Sequence, residues 1–269
     1  MVNLSDLAGI DLAWAEDGTL ALGDDLLVDE TRPRERGRLR PVALDPDSCE
    51  PAKQIQFWMY NGVRRRKDHA LLANTGLRYE LTLMYPHSLG HERAKTIGHL
   101  HNTPTNSHLN YTEICEVLYG TAYFLFQTLN VATRSAPFVA MVEAHPGDKV
   151  VIPPNMYHVA INAGDEPLLF SDIVPLAVQG IYEPLAQMHG AAYLSTVDQG
   201  WIKNPTYSSV ADLQRWSPEP FPDLGLTTDR SLYQTFVETA EATRWMLAPS
   251  QFSTTFPKIW TAIAAALAI

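Results

Sequence analysis

The residues with the clearest capacity for chemistry are Gly98-His99-Leu100-His101, then Glu113 and, after a long gap, Pro153-Pro154-Asn155-Met156-Tyr157-His158. Two histidines one residue apart on an extended segment point to the same face, because strand side chains alternate with period two. Both can therefore reach one ion. A carboxylate and a third imidazole brought from elsewhere would complete a mixed nitrogen and oxygen donor set, suited to Fe, Mn, Ni or Zn and open to a substrate. His69, His87, His91, His108, His145 and His189 show no spacing that competes with this set. Of these, His108 alone lies in the stretch leading to Glu113, within reach of a ligand.

The surrounding segments read as short strands that would position those side chains. Tyr111 to Gly120 is apolar-rich and closed by glycine, and the alternating Ala122-Tyr123-Phe124-Leu125-Phe126 follows it, as in a β-hairpin. Ala144-His145-Pro146-Gly147-Asp148 is a turn, with proline fixing φ and glycine allowing a positive one. Val150 to Pro154 then runs into His158, and Val159–Asn162 and Leu168–Val174 flank a further turn at Ala163–Pro167. Short strands separated by glycine and proline turns indicate an all-β sandwich or small barrel.

Thr96-Ile97-Gly98-His99-Leu100-His101, Glu113, Gly147 to Pro154, His158, Asn162, Gly164-Asp165-Glu166-Pro167 and Pro175 followed by Tyr182 resemble the double motif of the cupin barrels. More narrowly they resemble the cupin-type glucose-6-phosphate isomerases first known from archaea, over roughly Thr82 to Trp201. The resemblance implies a mainly β, jelly-roll-like barrel and an aldose–ketose isomerase interconverting glucose 6-phosphate and fructose 6-phosphate. It implies His99, His101, Glu113 and His158 as ligands of one divalent metal per chain, Fe2+ ahead of Mn2+, Ni2+ or Zn2+. Thr82, Thr96 and Gly98 match positions that hold the sugar phosphate, and Tyr182 matches a tyrosine over the substrate. Two departures stand out: a longer stretch, Asn102 to His108, between His101 and Glu113, and Cys115 where the family often has tyrosine.

The chemistry agrees with those residue types. Threonine hydroxyls and a glycine N–H donate to phosphate oxygens without a bulky side chain in the way. A divalent ion with three neutral imidazoles and one carboxylate carries a net positive charge that balances an enediolate or alkoxide. Glu113 or Tyr182 would serve as proton acceptor, or hydrogen would move as a metal-assisted hydride. The same ligands also suit an Fe(II) dioxygenase, and a non-catalytic sugar-binding cupin is a third possibility.

The chain has 269 residues, 46% of them hydrophobic, enough for a sizeable core. A net charge of −10 disfavours nucleic acid and anionic membrane as partners, so a phosphate site has to be made locally. Cys49 and Cys115 form no disulfide framework, and no signal-like segment is evident near the N-terminus, which points to the cytoplasm. We expect residues 1–50 to pack on a barrel at 51–200, followed by a wrapping loop and C-terminal helices at 201–269. Gln54 to Tyr60 reads as a strand extending the sheet, with Tyr60 in the pocket. The basic runs Glu30–Arg40 and Arg64–Lys67 read as solvated faces, with added positive potential near a phosphate pocket as the functional alternative. Leu232, Phe236, Ala240 and Trp245 space out a helix over Ser231–Leu247, and the alanine-rich Ile259–Ile269, too short to span a bilayer, suits a helix packed on the barrel or a second subunit. A two-fold homodimer would cover exposed sheet edges.

Overall fold

The computed structural model describes residues 1–15, 18–105, 107–239 and 243–267. Its centre is two antiparallel sheets facing each other. The larger is built from β1 (Glu30–Glu35), β2 (Ile55–Asn61), β3 (Leu77–Met84), β5 (Glu113–Tyr119), β8 (Lys149–Ile152) and β10 (Leu168–Pro175), in the order β8-β5-β10-β3-β2-β1. The smaller has the order β9-β6-β7-β12, from β6 (Ala122–Gln127), β7 (Val139–Ala144), β9 (Tyr157–Asn162) and β12 (Gln214–Trp216). β12 pairs with β7 in parallel, the other neighbours in the two sheets antiparallel. This is the cupin jelly roll. β5 and β6 do not form the hairpin that their sequence suggests: β5 pairs with β8 and β10, and β6 with β7 and β9. Gly120, at φ +78°, turns the chain from one sheet to the other, and a Cβ there would lie 2.5 Å from the carbonyl oxygen of Pro167.

Period-two alternation sorts the smaller sheet into two cores. Phe124, Phe126, Ala140, Val142 and Ala160 face inward, and Phe124 meets Phe170 of β10 edge to face at 5.6 Å. Leu125, Val139, Met141, Val159 and Ile161 face outward, yet they stay buried under Leu185, Met188, Tyr193 and Tyr207. The helix α1 (Glu183–Gln187) supplies Leu185.

The larger sheet is also covered on both sides. Its outward residue Tyr79 meets Tyr233 edge to face at 5.2 Å. Tyr233 belongs to α2 (Leu232–Glu238), which Ser231 opens with a capping box to Gln234. The continuous helix expected to Leu247 stops at Thr239, a 3-10 turn follows at Arg244–Leu247, and Ala240 lies outside the described residues. Phe252, Phe256 and Ile263 extend the same core, the last from α3 (Pro257–Leu267); Ala268 and Ile269 lie outside the described residues. Among the described residues no helix is long and apolar enough to cross a membrane.

The two sheets therefore reach beyond residues 51–200: β1 lies before residue 50 and β12 after 200. The basic run Glu30–Arg40 is not one solvated face. Arg36 is buried, donating to the carbonyls of Ser48 at 2.6 Å and Ser88 at 2.9 Å, while Arg40 pairs with Asp47 and Glu50 outside. In the second run Arg64 pairs with Asp29 at 2.8 Å and Arg65 with Asp68 at 2.5 Å, beneath the Tyr233 ring.

A buried ion pair fastens the C-terminal segment to the barrel. Glu116 faces outward from β5, takes the Lys149 ammonium at 2.6 Å on one oxygen, and accepts the N–H of Leu232 at 2.7 Å on the other. Replacing Glu116 by glutamine keeps the shape but leaves the Lys149 charge buried without its partner. At pH 8, above the value of about 7 to which burial raises the Glu116 carboxyl, we expect about 3–5 kcal/mol less unfolding free energy by urea denaturation. The double variant Glu116→Leu with Lys149→Met should recover most of that loss, because it removes both charges.

Candidate active site

A cavity of about 400 Å³ opens between the sheets at one end of the barrel. Inward alternation on the larger sheet lays out its floor. Cys115 lies opposite Asp172, which lies opposite Glu80; Phe170 lies opposite Thr82, and Thr82 opposite Met59. A side wall is the extended stretch from Lys95 to β4 (Leu100–His101), which runs along the free edge of β9. There Thr96 N–H donates to Ala160 O at 2.8 Å and Thr96 Oγ1 accepts the Ala160 N–H at 3.1 Å. His99 and His158 exchange both backbone hydrogen bonds, at 3.1 and 2.9 Å. Gly98 makes this path possible: its φ is +79°, and a Cβ would sit 2.6 Å from Val159 Cγ2.

The four expected ligands are brought together. One donor atom from each of His99, His101, Glu113 and His158 lies within 4.8 Å of the others. Glu113 Oε2 is 3.3 Å from His101 Nε2 and 3.4 Å from His158 Nε2. The far nitrogens are engaged: His101 Nδ1 lies 3.1 Å from Tyr111 O and His158 Nδ1 lies 3.2 Å from Met156 O. A ring that donates from Nδ1 to a carbonyl presents the lone pair of Nε2, the orientation that metal-binding histidines need. His158 Nε2 is buried with no hydrogen-bond partner, so a cation there would satisfy it. The donor set fits a divalent metal.

Electrostatics prepare the same atoms. Burial pulls His99 well below 6.5, aided by His158 and His101 beside it, and burial also lowers His101 against the pull of Glu113. Burial alone would raise Glu113, but the His101 and His158 imidazoles beside it outweigh burial and hold the carboxyl well below the usual range. The Glu113 carboxylate is therefore charged at neutral pH. The other oxygen, Oε1, accepts the Cys115 thiol at 3.0 Å, so the thiol steadies the carboxylate. Burial, then the Glu113 charge, keeps that thiol well above its ordinary pKa.

Thr82, Thr96, Gly98 and Tyr182 all line the cavity with the four ligands. Tyr182 arrives on β11 (Gly180–Ile181), which pairs with β4, and its ring centroid is 5.3 Å from that of His99. Tyr60 does not line the cavity; alternation on β2 sends Phe57, Met59 and Asn61 inward instead. His108 is exposed and lies outside the lining. Asn110 and Asn155 stitch its loop down, Asn110 N–H donating to Asn155 Oδ1 at 2.7 Å. Asn106 of that loop lies outside the described residues.

Sequence reasoning missed Glu80 and Asp172. Asp172 is buried, and burial, then the charges of Glu113 and Glu80, raise it well above the usual range. Burial likewise raises Glu80, against the pull of Arg78 at 2.5 Å. Their signal was a charged residue inside a strand otherwise made for burial, as in Leu168–Pro175. Arg32 and Arg34 also reach the lining, from β1.

The family model for glucose-6-phosphate isomerase matches residues 38–211, well over half of the chain. The glucose-6-phosphate isomerase of Pyrococcus abyssi is 30% identical over 140 residues, 52% of this chain and 65% of that protein. The enzyme of the same name from Thermococcus onnurineus is 32% identical over the same shares. The match thus spans just under two thirds of these relatives. Among solved structures, oxalate decarboxylase from Lactobacillus farciminis is 19% identical over 44% of this chain and 28% of that one, with a TM-score of 0.31, a likeness too slight to bear on function. On the strength of the family match across the barrel and its pocket, this chain belongs to the glucose-6-phosphate isomerase family.

Proposed function

We propose that this protein is a metal-dependent aldose–ketose isomerase interconverting glucose 6-phosphate and fructose 6-phosphate. The observation that carries the reading is the convergence of His99, His101, Glu113 and His158 at one end of a cavity that also holds Thr82, Thr96, Gly98 and Tyr182. His99, His101, Glu113 and His158 would hold one divalent ion, Fe2+ by preference. Bound there, the ion supplies Lewis acidity for the negative charge that develops on the C1 and C2 oxygens. The Thr82 hydroxyl has no partner among the described residues and is free to donate to a phosphate oxygen. Thr96 accepts from Ala160 with its lone pair and keeps its hydrogen for the same task. Tyr182 lies over the mouth, where it orients the sugar and limits water. Glu113 and Tyr182, both in the lining, are the candidates to move a proton between C1 and C2, with a metal-assisted hydride shift as the alternative. The two buried thiols, Cys49 and Cys115, unpaired with each other, support a reducing cytoplasm as the setting. Exposed Leu176 and Ile181 near the mouth support a homodimer, and net charge disfavours nucleic acid.

The purified protein should carry about one divalent ion per chain and lose it in His99→Ala or His158→Ala, by elemental analysis, since removing one of four ligands opens the set. Full occupancy in both variants would overturn the ligand assignment. The pH dependence has a definite sign. Burial lowers the basicity of His99 and His101, so protons compete with the ion at these nitrogens only on the acid side, and metal content after dialysis should fall as pH is lowered and not as it is raised.

Thr96→Val would strip a partner from the Ala160 N–H, so Thr82→Val is the cleaner test of phosphate binding. It should keep its metal while kcat/KM for fructose 6-phosphate falls roughly tenfold to a hundredfold, the value of one hydrogen bond to a charged group. Unchanged isomerisation would remove Thr82 from the phosphate site. Oxygen consumption by the wild type without any sugar phosphate would point instead to a dioxygenase.

A further inference from the structure

The cavity contains three arginines, and their partners differ. Arg78 is neutralised by Glu80 at 2.5 Å, and Arg32 by Glu30 on the same strand. Arg34 lines the cavity, half-buried, with no hydrogen bond or ion pair among the described residues. Burial pulls its pKa down, the mark of a cation held where water serves it poorly. In a chain of net charge −10, an unpaired cation in the same cavity as Thr82, Thr96 and Gly98 is a local reversal of the field.

Register shows why both arginines of β1 point into the cavity. Arg34 lies opposite Phe57, and Arg32 opposite Met59, which lies opposite Thr82. Arg32 and Thr82 therefore share one face of the sheet two strands apart, roughly 10 Å between backbones, a gap that an arginine side chain and a phosphate group bridge. Tyr182, the residue over the mouth, is close enough to both arginines to bear on their charge. Residues 30–35 precede the segment matched by the family model, which begins at 38. The cavity thus has a metal-ligand end made by the matched segment and a cationic end made by β1, which precedes it.

We propose that Arg34, backed by Arg32, is a clamp for the phosphate dianion of a phosphorylated ligand, supplied from outside the family segment. A planar guanidinium donates two parallel N–H bonds to phosphate oxygens, which sets the orientation of the ligand as well as its affinity. The sugar-phosphate identity of that ligand rests on the isomerase reading, whereas the clamp itself would equally hold free phosphate.

The test uses the metal-loaded protein and two probes. Calorimetric titration with inorganic phosphate, repeated at low and high salt, reads the clamp alone, and steady-state KM for fructose 6-phosphate reads it in turnover. Arg34→Gln should weaken inorganic phosphate at least tenfold, flatten the salt dependence and raise KM by a similar factor, with metal content and melting temperature unchanged. Arg34→Lys, which keeps the charge but loses the fork, should fall between, and Arg32→Gln should show a smaller effect. Equal phosphate affinity in wild type and Arg34→Gln, or no phosphate binding by the wild type, would overturn the clamp and leave the isomerase reading standing. Phosphate binding that depends on Arg34 in a protein that never isomerises the sugar would uphold the clamp and remove the isomerase.

Discussion

Two backbone hydrogen bonds between His99 and His158 hold the site together. Residues that exchange both bonds across an antiparallel pair stand directly opposite, with side chains on the same face. Two imidazoles 59 positions apart in the chain thereby become neighbours, their ring centroids 4.3 Å apart. The rest of the site is built on this contact. It draws Thr96 along β9, it places Leu100–His101 where β11 can pair with them, and β11 in turn carries Tyr182 to the mouth. Gly98 is the concession the backbone makes, since the chain must bend left-handed where no side chain has room.

The metal-ligand set was legible because it needs only local geometry. The period-two spacing of His99 and His101 says that they share a face whatever sheet they join, and a glutamate and a third histidine in strand-like surroundings complete a known chemistry. Partnership between strands was not legible in the same way. Tyr119-Gly120-Thr121 reads as a hairpin turn because glycine marks the reversal, but nothing local says that the two strands leave in different sheets. Tyr60 shows a related limit: β2 was recognised, and the choice of inward residues depends on a register set by Met59 opposite Thr82.

Face assignment failed most where both faces are buried. Along Leu77–Met84 and Leu168–Pro175 nearly every residue is buried, since α2 and its neighbours cover the outside while the barrel fills the inside. A strand in that setting loses its polar alternation. Its exceptions then carry the information: Glu80 and Asp172 face the cavity, and Glu116 faces outward to pin Leu232. The arginines divide by the same logic. One run of like residues supplies a buried brace in Arg36, two cavity residues in Arg32 and Arg34, and an ordinary surface pair in Arg40.

The Cys115 thiol that donates to Glu113 has a kinetic meaning as well. Electrophiles attack the thiolate, and this sulfur is buried, with its ionisation suppressed by burial and by the carboxylate it serves. Cys49, the chain's other cysteine, is buried too and likewise pushed up by burial. Alkylation of the native protein must wait for the barrel to open, so its rate measures how often the wall around Glu113 comes apart. The chain carries its own clock for the integrity of the site, in the thiol that touches its carboxylate.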